Sequence, residues 1–528
     1  MSSIDRSGWK ATINWGLVTV VAVGFLLRLI ACWQTESIVQ DGPLYLFQAQ
    51  SVAALRFGQA LGCLGYLSSY PFLVALAFPL TGDWINAGQL VSLICGTATI
   101  VPLYFLVARI TNQRAGLVTA TIFTVLPAMV GISADVLRDA PFWFFAATGL
   151  FLFVRSIDED KALLPVVSCL FLLLAIWTRI EGIVFLGVSV GFVLLGGVGR
   201  RSRKTGGMFL FPLFATGLLL AVVLPISGIA PGRLLRFQEL FDKAGYGLAA
   251  YSALRADLAG LISQHPASTL GFFLEEVRRS VWITGLAVLL NRLLETLSYL
   301  YALFLFAGLS RTVTAARDDR RIVYLLLCAA GLLVMFYYQV FCNWMLYYRM
   351  MVTLLLPASI ILGFGAARIL ARIQGEAGTG TPLSLLVLLC GLILFSLPKN
   401  LAARNTGELP FRLVGETIAA AKQKKEPAKI WSSPVSHRVV SCYANRYAAD
   451  PPCPEGFVDR RAVELGADPQ ALSRYLKEEG FRYFVWEESF WRQHGSLTPA
   501  ILSGSGIFTP LGEWDSTPFG RIVAYELR

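Results

Sequence analysis

Histidine is nearly absent, charge is scarce and metal-ligand spacing is missing. The chain holds three histidines, His265, His437 and His494, in 528 residues. None has a cysteine or second histidine at ligand spacing, which argues against a structural zinc or a zinc hydrolase. Charged residues are 15% of the chain, against about 25% in an ordinary soluble protein, and this excludes a soluble multidomain enzyme. There is no internal repeat, and no low-complexity tract beyond a Gly/Thr-rich turn at Gly375 to Thr381. Gly363-Phe364-Gly365 sits inside an apolar stretch with no strand before it, so it reads as a close helix contact rather than a dinucleotide fingerprint.

What is present is apolar: 55% hydrophobic residues and a mean hydropathy of +0.61. Runs long enough to cross a hydrocarbon layer, roughly 17 to 25 residues, recur to about residue 398 and then stop. About eleven spans are predicted, near Asn14 to Trp33, Ile85 to Ala108, Ala115 to Ile132, Pro141 to Arg155, Ala162 to Trp177, Gly182 to Val198, Met208 to Gly228, Ile283 to Leu309, Ile322 to Phe341, Met350 to Leu370 and Pro382 to Leu397. The net charge of +11 is a topology signal, not a nucleic-acid footprint, because many basic residues sit in short loops between apolar runs. With a cytoplasmic N-terminus, the loops carrying Arg109/Arg114, Arg200/Arg201/Arg203/Lys204, Arg311/Arg317/Arg320/Arg321 and Arg368/Arg372 all fall inside. An odd number of spans then places the C-terminal tail outside, together with outer segments 34–84 and 229–282. Arg6 and Lys10 flank the first span, and Leu29-Ile30-Ala31-Cys32 resembles a lipoprotein cleavage box. Arg28 interrupts the apolar region, so an uncleaved anchor is expected.

The expected architecture is a polytopic α-helical membrane protein, residues 1–398, followed by a soluble α/β domain, residues 399–528. That tail reads as a helix (Gly415 to Lys424), a strand (Lys429 to Ser432), a helix (Pro469 to Glu479) and strands at Tyr483 to Glu487 and Arg521 to Leu527. It has no Gly-rich phosphate loop and reads as a docking or lid domain without chemistry of its own. The outer loop between Ile229 and Trp282 carries amphipathic stretches, Arg233 to Ala244 and Leu270 to Arg279, that read as helices resting on the bilayer. Most of the nine cysteines lie in spans, where cysteine behaves as a small apolar residue. Cys442 and Cys453 share the tail and an expected oxidising compartment, so they are predicted to be bonded, with Cys32 and Cys63 as a second outer pair.

Acidic residues near a membrane surface are costly to bury. Asp41, just past the first span in Asp41-Gly42-Pro43, is either a helix N-cap or a functional acid. The second acidic cluster, Asp135-Val136-Leu137-Arg138-Asp139, also lies at an outer span end, and one of its aspartates suits a cap before Pro141.

These residues together resemble the C-type membrane glycosyltransferase superfamily (GT-C), particularly bacterial relatives of protein O-mannosyltransferases and the lipid A aminoarabinose transferase. The matching positions are Asp41 with Tyr45 and Ala49, the segment Tyr70-Pro71-Phe72-Leu73, Asp139, Thr178-Arg179-Ile180-Glu181-Gly182, and Tyr348-Arg349 with Pro357. The tail segment Leu472 to Glu487 is similar to the soluble domain of many bacterial members. One departure stands out: Gly42 occupies the place of the family's usual second acid. That leaves Asp41 as the single carried-over carboxylate and offers no ligand cluster for a divalent cation, so no cofactor is firmly implied.

The resemblance implies transfer of a sugar from a polyprenyl-phosphate donor to a glycolipid, polysaccharide or protein acceptor at the outer face of a bacterial inner membrane, with inversion. Asp41 would take the acceptor proton. Arg138, Arg349, Arg179 and Arg28 are candidates for the donor phosphate, with Tyr45 and Tyr348 beside them. Asp139 would orient the acceptor or the catalytic groups. Two other readings remain open, a transporter of lipid-linked sugars and a non-catalytic envelope assembly protein. A transporter would keep ionisable groups near the midplane and show paired repeats with broken helices.

Overall fold

The computed structural model describes residues 14–198, 202–227, 237–374, 382–422, 426–456, 459–495 and 497–528. Arg6, Lys10, Arg200, Arg201, the start of the Arg233 to Ala244 stretch and the turn at Gly375 to Thr381 lie outside the described residues. Seven described helices are long and apolar enough to cross a membrane: Trp15–Trp33, Trp84–Ile110, Asp139–Asp158, Lys204–Ile226, Arg320–Asn343, Tyr348–Ile373 and Leu383–Asn400. An eighth crossing results if Gln113–Val125 and Pro127–Ser133, bent by 57°, form one span. Three of the eleven expected spans fall instead on shorter apolar helices, Leu163–Thr178, Gly182–Leu194 and Ala302–Ala315. The expected span from Ile283 to Leu309 is interrupted. The helix Thr269–Thr296 ends there, and Ser298 and Tyr299 adopt left-handed φ of 49° and 58° before Ala302–Ala315 begins.

The chain divides into two compact units, and the division cuts across the sequence order. The first unit, residues 1–29, 93–133 and 139–400, is a helical assembly. Its bent span shows how backbone geometry is settled in an apolar setting. Pro127 has no N–H to give to the carbonyl four residues earlier, so the helix Gln113–Val125 stops and leaves four C-terminal carbonyls to satisfy. Leu126 N donates to Ile122 O at 2.9 Å. Arg28 donates to Phe123 O at 3.4 Å and Thr124 O at 3.2 Å, and Asn400 Nδ2 donates to Val125 O at 2.8 Å. The glycine pair in the helix Tyr348–Gln374 serves close helix contact: a Cβ at Gly363 would fall 2.4 Å from Val107 Cγ1, and one at Gly365 would fall 1.8 Å from Phe304 O.

The second unit joins residues 30–92 and 134–138 to the tail, 401–528. The tail contains a four-stranded sheet, β1 (Ile430–Trp431), β2 (Tyr483–Glu487), β3 (Phe508–Ser516) and β4 (Gly520–Leu527), in the order β1-β2-β4-β3. β1 and β2 are parallel; β4 runs antiparallel to both of its neighbours. One aromatic core, with Trp431, Phe484, Trp486, Trp491, Phe508 and Tyr525, fills one side. The expected helix at Pro469 and strand at Tyr483 are present as Pro469–Glu478 and β2. The helix Pro434–Ala444 was not anticipated, although Ser433 followed by Pro434 is a helix-start signal; the Ser433 hydroxyl accepts from Ser436 N.

The disulfide differs from expectation. Cys453 is bonded to Cys63 across 390 residues, with Cα atoms 5.8 Å apart, and neither Cys442 nor Cys32 takes part in a disulfide. Nearness in sequence misled. Cys442 is fixed within the helix Pro434–Ala444, whereas Cys453 lies in the Pro-rich stretch that follows and packs with Leu44, Phe47 and Cys63.

Candidate active site

In the second unit, Asp41 precedes the helix Gly42–Ala53, yet its side chain makes no capping hydrogen bond. The carboxylate is partly exposed and lies 3.8 Å from the Arg438 guanidinium. Gly42 follows because space is short: a Cβ there would meet Val136 Cβ at 3.2 Å and Val136 O at 3.4 Å. The same crowding gives a steric reason for the missing second acid, since a glutamate at 42 would require Val136 to give way.

Val136 is held by its neighbour. Asp135 Oδ1 accepts from Val136 N at 2.7 Å and Val39 N at 3.3 Å, and Oδ2 accepts from Asn405 Nδ2 at 2.6 Å. Complete burial pushes the Asp135 carboxyl up to about 6, against the pull of these donors and of Arg404. Asp135 therefore latches the segment leading to Asp41 and does not cap the helix Asp139–Asp158.

Arg138 is buried and stacks over Tyr45 at 5.5 Å and Tyr66 at 5.2 Å. Tyr45 meets Tyr70 edge to face, and the Tyr70 hydroxyl donates to Gly88 O at 2.9 Å beside Ser92. Tyr70-Pro71 thus fixes the aromatic wall against which the Arg138 cation rests, an attraction that strengthens when water is excluded.

The first unit holds a separate cluster. Asp139 is fully buried at the start of its helix and accepts from Arg179 Nη1, while Arg179 also pairs with Glu181. Arg349 Nη1 stands 4.0 Å from the other Asp139 oxygen, and its guanidinium lies over the Tyr347 ring at 4.9 Å. Trp143 Nε1 donates to Thr353 Oγ1 at 3.1 Å, tying the Asp139 and Arg349 helices together. Tyr348 points to a different group, accepting from Arg292 at 3.2 Å with Glu295 nearby.

The structure therefore brings Asp139, Arg179 and Arg349 together, and separately Arg138 with Tyr45. Arg28 joins neither group; it is buried among the carbonyls of the bent span. Sequence reading missed Arg438 and Tyr66. The helix-start signal at Ser433-Pro434 is what could have drawn attention to Arg438. No group of three or more His, Cys, Asp or Glu able to hold a metal occurs among the described residues.

Residues 69–227 match the family model described as dolichyl-phosphate-mannose-protein mannosyltransferase. That match includes Tyr70, Arg138, Asp139 and Arg179 and leaves Asp41 outside. ArnT from Cupriavidus metallidurans bound to undecaprenyl phosphate superposes with a TM-score of 0.60 at 13% identity, over 97% of this chain and 98% of that one. The chain carries the GT-C membrane glycosyltransferase fold. The apo form of the same ArnT gives a TM-score of 0.56 at 12% identity, over 98% of both chains. The Archaeoglobus fulgidus oligosaccharyltransferase in complex with Zn and sulfate gives 0.56 at 14% identity, over 96% of this chain and 72% of that chain. No curated protein sequence matches the chain significantly.

Proposed function

We propose that the protein transfers a sugar from a polyprenyl-phosphate donor to a hydroxyl-bearing envelope acceptor at the outer face of the membrane, with inversion. The observation that carries this reading is the Asp41 carboxylate. It stands at a helix start without serving as its cap, partly open to solvent and beside a cation. The acceptor oxygen attacks the anomeric carbon from the face opposite the phosphate, Asp41 takes the acceptor proton, and the bond from the anomeric carbon to the phosphate oxygen breaks. The departing polyprenyl phosphate carries the electron pair of that bond and needs fixed positive charge. Arg138, in the same unit as Asp41 and preorganised on Tyr45 and Tyr66, is assigned to it; Arg179 is used in holding Asp139. The likeness to ArnT bound to undecaprenyl phosphate supports the donor class.

In this reading the chain crosses the membrane eleven times, counting the bent pair and three short helices with the seven long ones, with the N-terminus inside and the tail outside. The Cys63–Cys453 bond supports an oxidising compartment for the outer segment and the tail. The transporter reading is disfavoured by the bent span itself. Its freed carbonyls are closed by Arg28 and Asn400 instead of being left open to bind a solute.

The test is Asp41→Asn in nanodiscs with a polyprenyl-phosphate-sugar donor. Turnover should fall by roughly two to four orders of magnitude, the range of a lost general base, with Tm unchanged because no cap bond is lost. Near-normal transfer by this variant would remove Asp41 from the chemistry.

A further inference from the structure

The tail was expected to dock without contributing chemistry. Within the second unit, however, the tail helix Pro434–Ala444 reaches the segment that bears Asp41 through two of its residues. Arg438 faces the Asp41 carboxylate at 3.8 Å. One turn further on, the Tyr443 hydroxyl accepts from Ile38 N at 3.2 Å, three residues before Asp41. Just beyond the helix, Arg446 Nε donates to Asp83 at 2.7 Å.

We propose that Arg438 is a positioning residue of the Asp41 site, so that the tail helix completes the catalytic apparatus. The inference rests on the assignment of Asp41 as the base. Three observations carry it beyond a chance surface pair.

The first is that the helix is anchored at both ends. At its start, the buried Glu487 carboxylate accepts from Ser433 Oγ at 2.8 Å and from Ser436 Oγ, and at its end Asn445 ties to Ala428 and Ser441. The second is that the tail is fastened to the outer segment at several further points: the Cys63–Cys453 bond, Arg56 to Asp450 at 2.6 Å, and Arg412 Nη1 to Glu36 O at 2.6 Å. Arg438 is therefore delivered from a rigid element to a fixed place, as preorganised sites require. The third is that His437, its neighbour, is partly buried and bonded to Ser432 Oγ at 3.0 Å, with desolvation and the adjacent Arg438 pulling it down to about 4. A neutral His437 leaves Arg438 as the cation that this helix directs at Asp41.

At 3.8 Å the contact is an ion pair and not a hydrogen bond, so Arg438 acts through charge and direction on the carboxylate. Half-exposed pairs of this kind add little to stability. A purely structural role therefore predicts almost no phenotype, whereas a positioning role predicts a kinetic one.

The experiment is a double-mutant cycle on the full-length protein in nanodiscs, reading single-turnover transfer from a polyprenyl-phosphate-sugar donor used by the wild type. Arg438→Gln should lower kcat by about tenfold or more, within the cost of a misplaced catalytic group, with the donor KM and Tm little changed. Arg438→Lys should restore most of the loss. In the Asp41→Asn background, Arg438→Gln should cost nothing further, because a residue acting through Asp41 has nothing left to act on. Wild-type turnover by Arg438→Gln, or an equal loss in both backgrounds, would overturn the proposal and leave the base assignment intact. Wild-type turnover by Asp41→Asn would overturn both. If Arg438→Gln lowers Tm, Arg438→Lys decides: a variant with wild-type Tm and unrestored kcat also counts against a role carried by charge alone.

Discussion

Arg28 tests whether a buried cation in the first span serves chemistry or backbone. Its side chain is fully buried and gives hydrogen bonds to Gly24 O at 3.0 Å, Thr124 O at 3.2 Å and Phe123 O at 3.4 Å. The Gly24 carbonyl lies in its own helix, but the other two are freed by the break at Pro127. Arg28→Met keeps most of the stem and removes every donor. Each carbonyl left without a partner costs roughly 1–3 kcal/mol, so two of them give a loss of roughly 2–6 kcal/mol if no water enters. The assay is thermal unfolding in detergent, with transfer activity measured on the fraction that remains folded. A clear drop in Tm with near-normal specific activity is expected. An unchanged Tm with lost donor use would refute the reasoning and return Arg28 to the phosphate.

Cys63→Ser should leave Cys453 reactive to thiol labels and should destabilise the second unit by about 2–4 kcal/mol, the usual range for a native disulfide; reactivity of Cys453 in the unreduced wild type would contradict the bond. Arg138→Ala should raise the donor KM or lower donor-dependent turnover by about tenfold or more, and Arg138→Lys should recover only part of it, because an ammonium lacks the bidentate fork; wild-type kinetics in Arg138→Ala would remove Arg138 from the donor site. Asp135 carries a carboxyl raised from 3.8 to about 6, so the folded second unit holds its proton longer than the unfolded chain does, and this contribution to stability is lost as pH rises from about 4 to about 6. The difference in stability between the wild type and Asp135→Asn should therefore shift against the wild type by roughly 3 kcal/mol across that window, with Arg404, Asn405 and the coupled Glu408 left in place; a flat difference would show that the carboxyl is not raised.

The long crossings were legible because a hydrocarbon layer demands length and apolarity from one continuous stretch, and both are properties of sequence. The tail strand at Tyr483 was legible for a similar reason, being a short run of aromatic and branched residues closed by turn signals. What stayed hidden depends on partners far along the chain. The bonds from Arg28 to Phe123 and Thr124 could not be read locally, because nothing near Arg28 in sequence shows that those carbonyls lose their donors at Pro127. Cys453 looked like a partner for Cys442 because the segment that brings Cys63 to it lies 390 residues away. The sequence left open which aspartate of the Asp135/Asp139 pair would cap the following helix, and only the arrival of Val39 and Asn405 makes Asp135 a latch.

The two aspartates flanking Arg138 show how burial divides similar residues into different tasks. Asp139 is closed on one oxygen by Arg179 and faced on the other by Arg349, so its charge is matched by cations and suits holding those arginines in place. Asp135 is bonded by backbone and amide N–H groups, so its charge is only partly compensated and its carboxyl rises. Asp41 differs from both in keeping solvent access at a helix start that it does not cap. A base must accept a proton from a substrate that comes and goes, and a fully enclosed carboxylate cannot meet one. Among the three, Asp41 alone combines access with a neighbouring cation, and that is the physical ground for assigning it the proton transfer and the other two the scaffold.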